Sequence, residues 1–144
     1  MKKVALISLV IILTAMGQTF EVQAQKVRKN SAVAPDKIEV YYFHYTRRCI
    51  TCNAVEDVTK KTLAELYPEQ QKNKVITFTS VNLDDDSGKA LAKKCKADGQ
   101  ALIVMKKGKR IDLTDKGFMY AKSKPEKLKE ELKTTIDALL KTKI

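Results

Sequence analysis

Ile38-Glu39-Val40-Tyr41-Tyr42-Phe43-His44-Tyr45 runs through Thr46-Arg47-Arg48 into Cys49-Ile50-Thr51-Cys52, and the reading of this stretch decides the fold. Residues 38–45 are rich in β-branched and aromatic side chains and read as a strand. Both of its faces are largely apolar, as in a central strand covered on two sides. Beyond Cys52 the period changes. Val55, Val58, Leu63 and Leu66 fall near helical spacing, with Glu56, Asp57, Lys60 and Lys61 between them, and Tyr67-Pro68 ends the run. The two cysteines therefore sit where a strand hands over to a helix. Two thiols three positions apart on a helix's first turn can close a small disulfide. The first of them faces the unpaired N–H groups of the helix N-terminus, where the dipole favours a thiolate. Arg47 and Arg48 add positive potential beside it. A thiolate is the species that attacks disulfides, so the placement suits exchange chemistry.

Working outward, Lys74 to Leu83 reads as a second strand, broken by Asp84-Asp85-Asp86-Ser87, which offer helix N-caps. Ser87 to Lys96 reads as a short helix with Ala90, Leu91 and Cys95 towards the core, and Asp98-Gly99 turns the chain. Ala101 to Met105 is a third strand, Lys107-Gly108 a tight turn, and Arg110 to Leu113 the returning strand of a hairpin. Ser123-Lys124-Pro125-Glu126 has the pattern of a capping box with Pro in the first turn. It opens a last helix with Leu128, Leu132, Ile136, Leu139 and Leu140 on its inner side. The order β-α-β-α-β-β-α predicts an α/β domain: a mixed central sheet of about four strands with flanking helices, parallel where a helix crosses over and antiparallel at the closing hairpin.

The N-terminus follows a different logic. Lys2 and Lys3 precede a mostly apolar stretch of 14 residues, Val4 to Gly17, and Val22-Gln23-Ala24 offers small or compact residues before a cut after Ala24. This is the layout of a signal peptide over residues 1–24. The stretch is short for a membrane span, which needs about 20 apolar residues; the alternative is an uncleaved N-terminal anchor. Residues 25–36 are largely polar without a clear period and read as a flexible linker, leaving 37–144 as the folded domain. Export, to a periplasm or outside the cell, follows from this reading. Loss of Lys2, Lys3 and Glu21 takes the formal charge from +11 to +10. That excess does not indicate nucleic acid: the cations come as short scattered clusters without a recognition motif, in a chain expected outside the cell. They read as solvated surface charge, compatible with a partner that has an acidic face.

With 144 residues the chain can bury a core without a disulfide scaffold. Three cysteines leave at least one unpaired, and a single histidine excludes a His-rich metal site. A bare CxxC is a weak signal, but at a strand-to-helix junction inside a βαβ unit it is much stronger. From residue 38 to 140 the chain resembles the thioredoxin family. The resemblance lies in the apolar strand into CxxC, the helix after it, the VNLDDDSGKALAKK stretch and the ALIVMKKGKR hairpin. It implies a thioredoxin-like fold with Cys49 as attacking and Cys52 as resolving thiol. YYFHYTRRCITC also resembles an exported ArsF-type subfamily labelled a nitrophenyl-compound nitroreductase subunit. The sequence has no flavin or nicotinamide motif, so that label implies little chemistry here, and no cofactor is expected.

The chain departs from the family at several points. Arg48 stands where thioredoxins carry Trp, and Ile50-Thr51 replace the usual Gly-Pro. Phe43, beside His44, occupies the place of a buried Asp, and Gln100 or Ala101 that of a cis-proline. Too few residues precede Cys49 for the family's first strand and helix. The thiol pair survives these changes, but they weigh against coupling to a general thioredoxin reductase and predict a narrow range of protein dithiol or disulfide partners, with Arg47, Arg48 and Gln100 as tuning or docking residues. A trans peptide is expected before Gln100 and Ala101, since a non-proline cis bond costs about 2.5–4 kcal/mol.

His44 reads as a core or edge histidine, Cys95 as a small buried hydrophobe, and Asp84 to Asp86 as a loop and cap, with no metal site. The leading expectation is an exported thiol–disulfide oxidoreductase. Two rivals remain: a non-enzymatic module in which Cys49 and Cys52, with or without Cys95, hold a soft metal or metalloid, and an interaction domain whose CxxC is a structural disulfide. N-terminal sequencing of the exported protein should begin at Gln25; a start at Met1 would show the apolar stretch to be retained.

Overall fold

The computed structural model describes residues 36–142. The expected signal peptide and all of the expected linker except Asp36 lie outside the described residues. Four strands form one sheet in the order β2-β1-β3-β4. β1 (Ile38–His44) is central, parallel to β2 (Ile76–Asn82) and antiparallel to β3 (Ala101–Lys106). β4 (Lys109–Asp112) returns antiparallel to β3. The register sets His44 opposite Asn82 and Phe43 opposite Ala101. The C-terminal end of β1, the end of β2 and the start of β3 thus share one end of the sheet. This is the expected α/β arrangement, a mixed four-stranded sheet with flanking helices.

Alternation along β1 and β3 divides the core. Val40, Tyr42, Leu102 and Val104 face a layer made by α1 (Ile50–Leu66), α4 (Thr114–Tyr120) and α5 (Pro125–Lys141), which supply Val55, Leu63, Leu128, Leu132, Ile136 and Leu139. Phe43 and Ile103 face the other way, with Val81 and Leu83, onto Ala92 and Cys95 of α3 (Asp86–Cys95). Tyr67 at the end of α1 donates its hydroxyl to Asp137 of α5 at 2.7 Å. The β3–β4 turn has positive φ at both Lys107 and Gly108, which matches the right-handed twist of its flanking strands.

Several expectations are corrected. Tyr67-Pro68 does end α1, but Pro68 also opens a short helix, α2 (Pro68–Lys72), using its fixed φ at the first helical position. α4 was not anticipated. β2 starts two residues later than expected, and β4 runs one residue earlier at each end. On α3 the buried positions are Gly88, Ala92 and Cys95, spaced i, i+4, i+7 on one face, and Ala90, two positions from Gly88 and from Ala92, falls on the exposed side. No capping box forms at α5. Its N-cap is Lys124, and Ser123 Oγ donates instead to the carbonyl of Met119 at 3.2 Å, turned back onto α4. Glu56, read as an outward residue of α1, is buried.

Lys106, on β3, is 2% exposed. Its Nζ donates to the carbonyls of Leu139 (2.6 Å) and Thr142 (2.8 Å) at the end of α5, where a cation complements the helix dipole, and it lies 3.4 Å from Asp36. No described helix is long and apolar enough to cross a membrane.

Gly88 sets how closely α3 can approach the sheet. A Cβ there would lie 1.8 Å from the carbonyl oxygen of Asn82. Gly88→Ala should therefore lower stability by about 1–3 kcal/mol, the usual range for overpacking. Gly99→Ala, where a Cβ meets nothing within 4 Å, is the control and should leave the urea midpoint nearly unchanged.

Candidate functional site at the start of α1

The site is built where β1 ends. Leu83 N–H donates to the carbonyl of His44 at 2.7 Å, extending the β1–β2 ladder by one bond. The chain then turns through Tyr45-Thr46-Arg47-Arg48, and the turn is fixed from β2 and the segment after it. Asp84 accepts from the Thr46 N–H at 2.8 Å, and Asn82 donates its side-chain amide to Thr46 Oγ1 at 2.9 Å. The sequence pattern places Asp84 in a helix cap. The N-cap of α3 is in fact Asp85, which makes no side-chain cap bond, and Asp84 holds the loop before the cysteines instead. Those bonds from Thr46, backbone first and then side chain, outweigh desolvation and keep the Asp84 carboxyl below its ordinary range.

Cys49 is the N-cap of α1, in extended conformation, and its Sγ accepts from the Cys52 N–H at 3.2 Å. The first thiol therefore does meet a free backbone donor of the helix, as its position implies. Cys49 and Cys52 are joined as a disulfide, with Cα atoms 5.1 Å apart. The two sulfurs have unlike surroundings: Cys49 is exposed, whereas Cys52 is 3% exposed. Ile50, between them, is 74% exposed and presents an apolar side chain next to the bond.

The two arginines separate. Arg47 is exposed and has no ion-pair partner among the described residues. Arg48 turns inward and pairs with the buried Glu56 of α1. It also bonds His44 through Nε (3.0 Å to Nδ1) and reaches Ser80 Oγ at 3.2 Å. His44 is buried, with Nε2 2.9 Å from Ser80 Oγ. Lys60 approaches Glu56 from the other side at 2.6 Å. The charge of Arg48 is thus matched inside the protein, and the cation left beside Cys49 is Arg47. Sequence reasoning missed Glu56 and Ser80. Glu56 was detectable in principle, four residues after Cys52 and so on the same helix face; Ser80 carried no signal, because its role comes from the β1–β2 register.

Gln100 is half-buried, and the peptides before it and Ala101 are trans, since the described residues contain no cis bond. It lines a groove of about 500 Å³ with Asp98, Asp112 and Asp115. A second groove of similar size, on the other side of Asp98-Gly99, is lined by Tyr45, Leu83, Asp84 and Lys93. Cys49 lines neither. Cys95 is free and buried in the α3 cluster, and its thiol is pushed up by desolvation. The three cysteines do not come together: no group of three or more metal-ligating side chains occurs among the described residues.

No protein-family model and no curated protein matches the chain. Among solved structures it is similar to a thioredoxin from Trypanosoma brucei brucei, at 21% identity and a TM-score of 0.44, over 71% of this chain and 77% of that one. None of these comparisons supports the narrower ArsF-type resemblance.

Glu56 gives the site a pH-dependent component. Burial pushes its carboxyl up, but hydrogen bonds from Lys60, Arg48 and Ser80 together outweigh burial and leave it lowered. A carboxyl lowered by folding contributes stability above its unfolded pKa of about 4.3, and that contribution is lost as pH falls through the folded value. Glu56→Gln should cost about 1.5–3 kcal/mol at neutral pH, as expected for hydrogen bonds to a charged group. The variant should also lose less stability than the wild type on acidification below about pH 4. Urea midpoints across pH 3–7 check both.

Proposed function

We propose that the protein is an exported thiol–disulfide oxidoreductase acting on a protein partner. The observation that carries the reading is the asymmetry of the pair: an exposed Cys49 at a helix N-terminus, bonded to a buried Cys52. In the reduced form Cys49 has the helix dipole and the Cys52 N–H to favour its thiolate. The Cys49 thiolate attacks one sulfur of a partner disulfide, forms a mixed disulfide and displaces the partner's other sulfur as a thiolate. Cys52, losing its proton, then attacks Cys49 Sγ, closes the Cys49–Cys52 bond and releases the second partner thiolate. Two electrons have passed to the partner and the pair is oxidised; a separate dithiol must reduce it for another cycle. The reverse sequence oxidises a partner dithiol, and the potentials of the two couples set the direction.

A partner of narrow range fits the surface around Cys49. Ile50 offers an apolar contact and Arg47 a free charge, so a segment with an apolar residue and a carboxylate beside its disulfide matches them. The Gln100 groove carries charges of both signs, Lys96 and Arg110 beside Asp98, Asp112 and Asp115, and so offers no comparable preference. With Cys95 buried in another cluster, a soft-metal site would have only the two cysteines of the pair.

In the reduced protein, alkylation at mildly acidic pH should label Cys49 well before Cys52 and Cys95. Cys52→Ala should accumulate mixed disulfides with the partner, because nothing is left to resolve them. A reduction potential above about −300 mV fits a catalytic pair; a more negative one, with equal labelling of all three cysteines, would identify a structural bond and overturn the reading.

A further inference from the structure

We infer a second site, on the α3 face of the sheet, that binds an amphipathic organic anion: a compact apolar body bearing one acidic head group. This inference does not depend on the redox reading. α3 is a short helix and covers only part of its face. Where it stops, a cavity of about 460 Å³ opens over β1 and β3, within the size range of small-molecule sites. Its floor is Tyr41, Leu91, Met105 and Cys95, an aromatic ring, two flexible apolar side chains and a thiol. Burial, with a smaller contribution from Glu39, raises the Tyr41 hydroxyl to about 12, so the floor carries no charge at neutral pH.

The rim is cationic. Lys94, Lys96 and Arg110 border the opening; Arg110 is paired with Asp112 at 2.7 Å, and the one carboxylate of the lining, Glu39, with Lys37 at 3.2 Å. Lys94 and Lys96 have no ion-pair partner among the described residues and are exposed. The left-handed conformation at Lys96 ends α3 there, so both lysines leave the helix close to the opening. The C-terminus of a helix carries partial negative charge, which opposes an anion. That charge is partly answered on the spot, because Arg110 Nε donates to the carbonyl of Cys95 at 2.9 Å. An apolar floor beside two unpaired lysines selects an apolar anion over a neutral body or a cation.

The test uses anilinonaphthalene sulfonate as the anion and N-phenyl-1-naphthylamine, the same ring system without the sulfonate, as the neutral control. The sulfonate should bind saturably at one site, more weakly as salt rises, and the neutral probe roughly tenfold or more weaker. Lys94→Glu with Lys96→Glu, both on exposed side chains, should weaken the sulfonate roughly tenfold and leave the melting temperature and disulfide exchange unchanged. Bound sulfonate should also slow alkylation of Cys95. If the double variant misfolds, Lys94→Gln with Lys96→Gln replaces it, with a smaller loss in the same direction. Equal binding of both probes would overturn the anion assignment and make the cavity a general apolar groove. Absence of saturable binding, or Cys95 labelling indifferent to the sulfonate, would overturn the site itself.

Discussion

β1 is hydrogen-bonded along both edges, to β2 over its full length and to β3 over all but its last residue. That double pairing is the constraint from which the rest follows. A strand held on both sides cannot slip without moving every neighbour, and a one-residue shift would turn Val40 and Tyr42 off the α1–α5 layer. The end of β1 is therefore a fixed point. Asp84 and Asn82, placed by the β1–β2 register, hold Thr46. The short path from there to Cys49 leaves it at the head of α1, with its sulfur over the Cys52 N–H. Reactive geometry on a turn is usually the less precise choice; here the sheet supplies the precision and the turn is pinned to it.

The formal charge of +11 is a poor guide to the electrostatics at the cysteines. Arg48 is the cation nearest to Cys49 in sequence, yet Glu56 matches it in the interior, with Lys60 as a second partner of that carboxylate. The local field at Cys49 comes instead from the helix terminus, about half an elementary charge and worth roughly 0.3–2 kcal/mol depending on burial, and from Arg47, which solvent and salt screen. The inward turn of Arg48 serves another end. It joins the residue before Cys49 to α1 beyond Cys52 and to β2 through Ser80, so the cysteine loop is clamped on both flanks.

What was legible in the sequence was whatever depends on local pattern. The apolar run of β1, the CxxC at its exit, and Lys107-Gly108 between two strands all announced themselves, because chain period and turn chemistry are local properties. α4 did not. Its seven residues are too few to be helical alone, and what holds them is packing made only after folding: Gly117 is buried, and Phe118 and Tyr120 pack on the core cluster. Ser123 had the right spacing for a capping box but found the carbonyl of Met119 first. Glu56 looked like a solvated charge because its two cations, one four residues on and one before the helix, were not counted as its partners. The errors share a cause: each concerns a polar or short element whose state is chosen by a tertiary neighbour.

The two faces of the sheet differ in a way that keeps their chemistry apart. Three helices cover one face, and α1 presents the disulfide at one end of the sheet. The other face has α3 alone, and there Cys95 is buried in a cluster with Phe43, Ile103 and Ala92. A third thiol near the pair would compete with Cys52 for any mixed disulfide at Cys49. Cys95 is kept from doing so twice: it packs on the opposite layer, and desolvation disfavours its thiolate, the only form that could attack. The price of leaving α3 short is an incompletely covered sheet, with Tyr41 and Met105 only partly buried beside it. An uncovered apolar floor is disfavoured in water unless something rests on it, and the lysines at its edge favour something acidic.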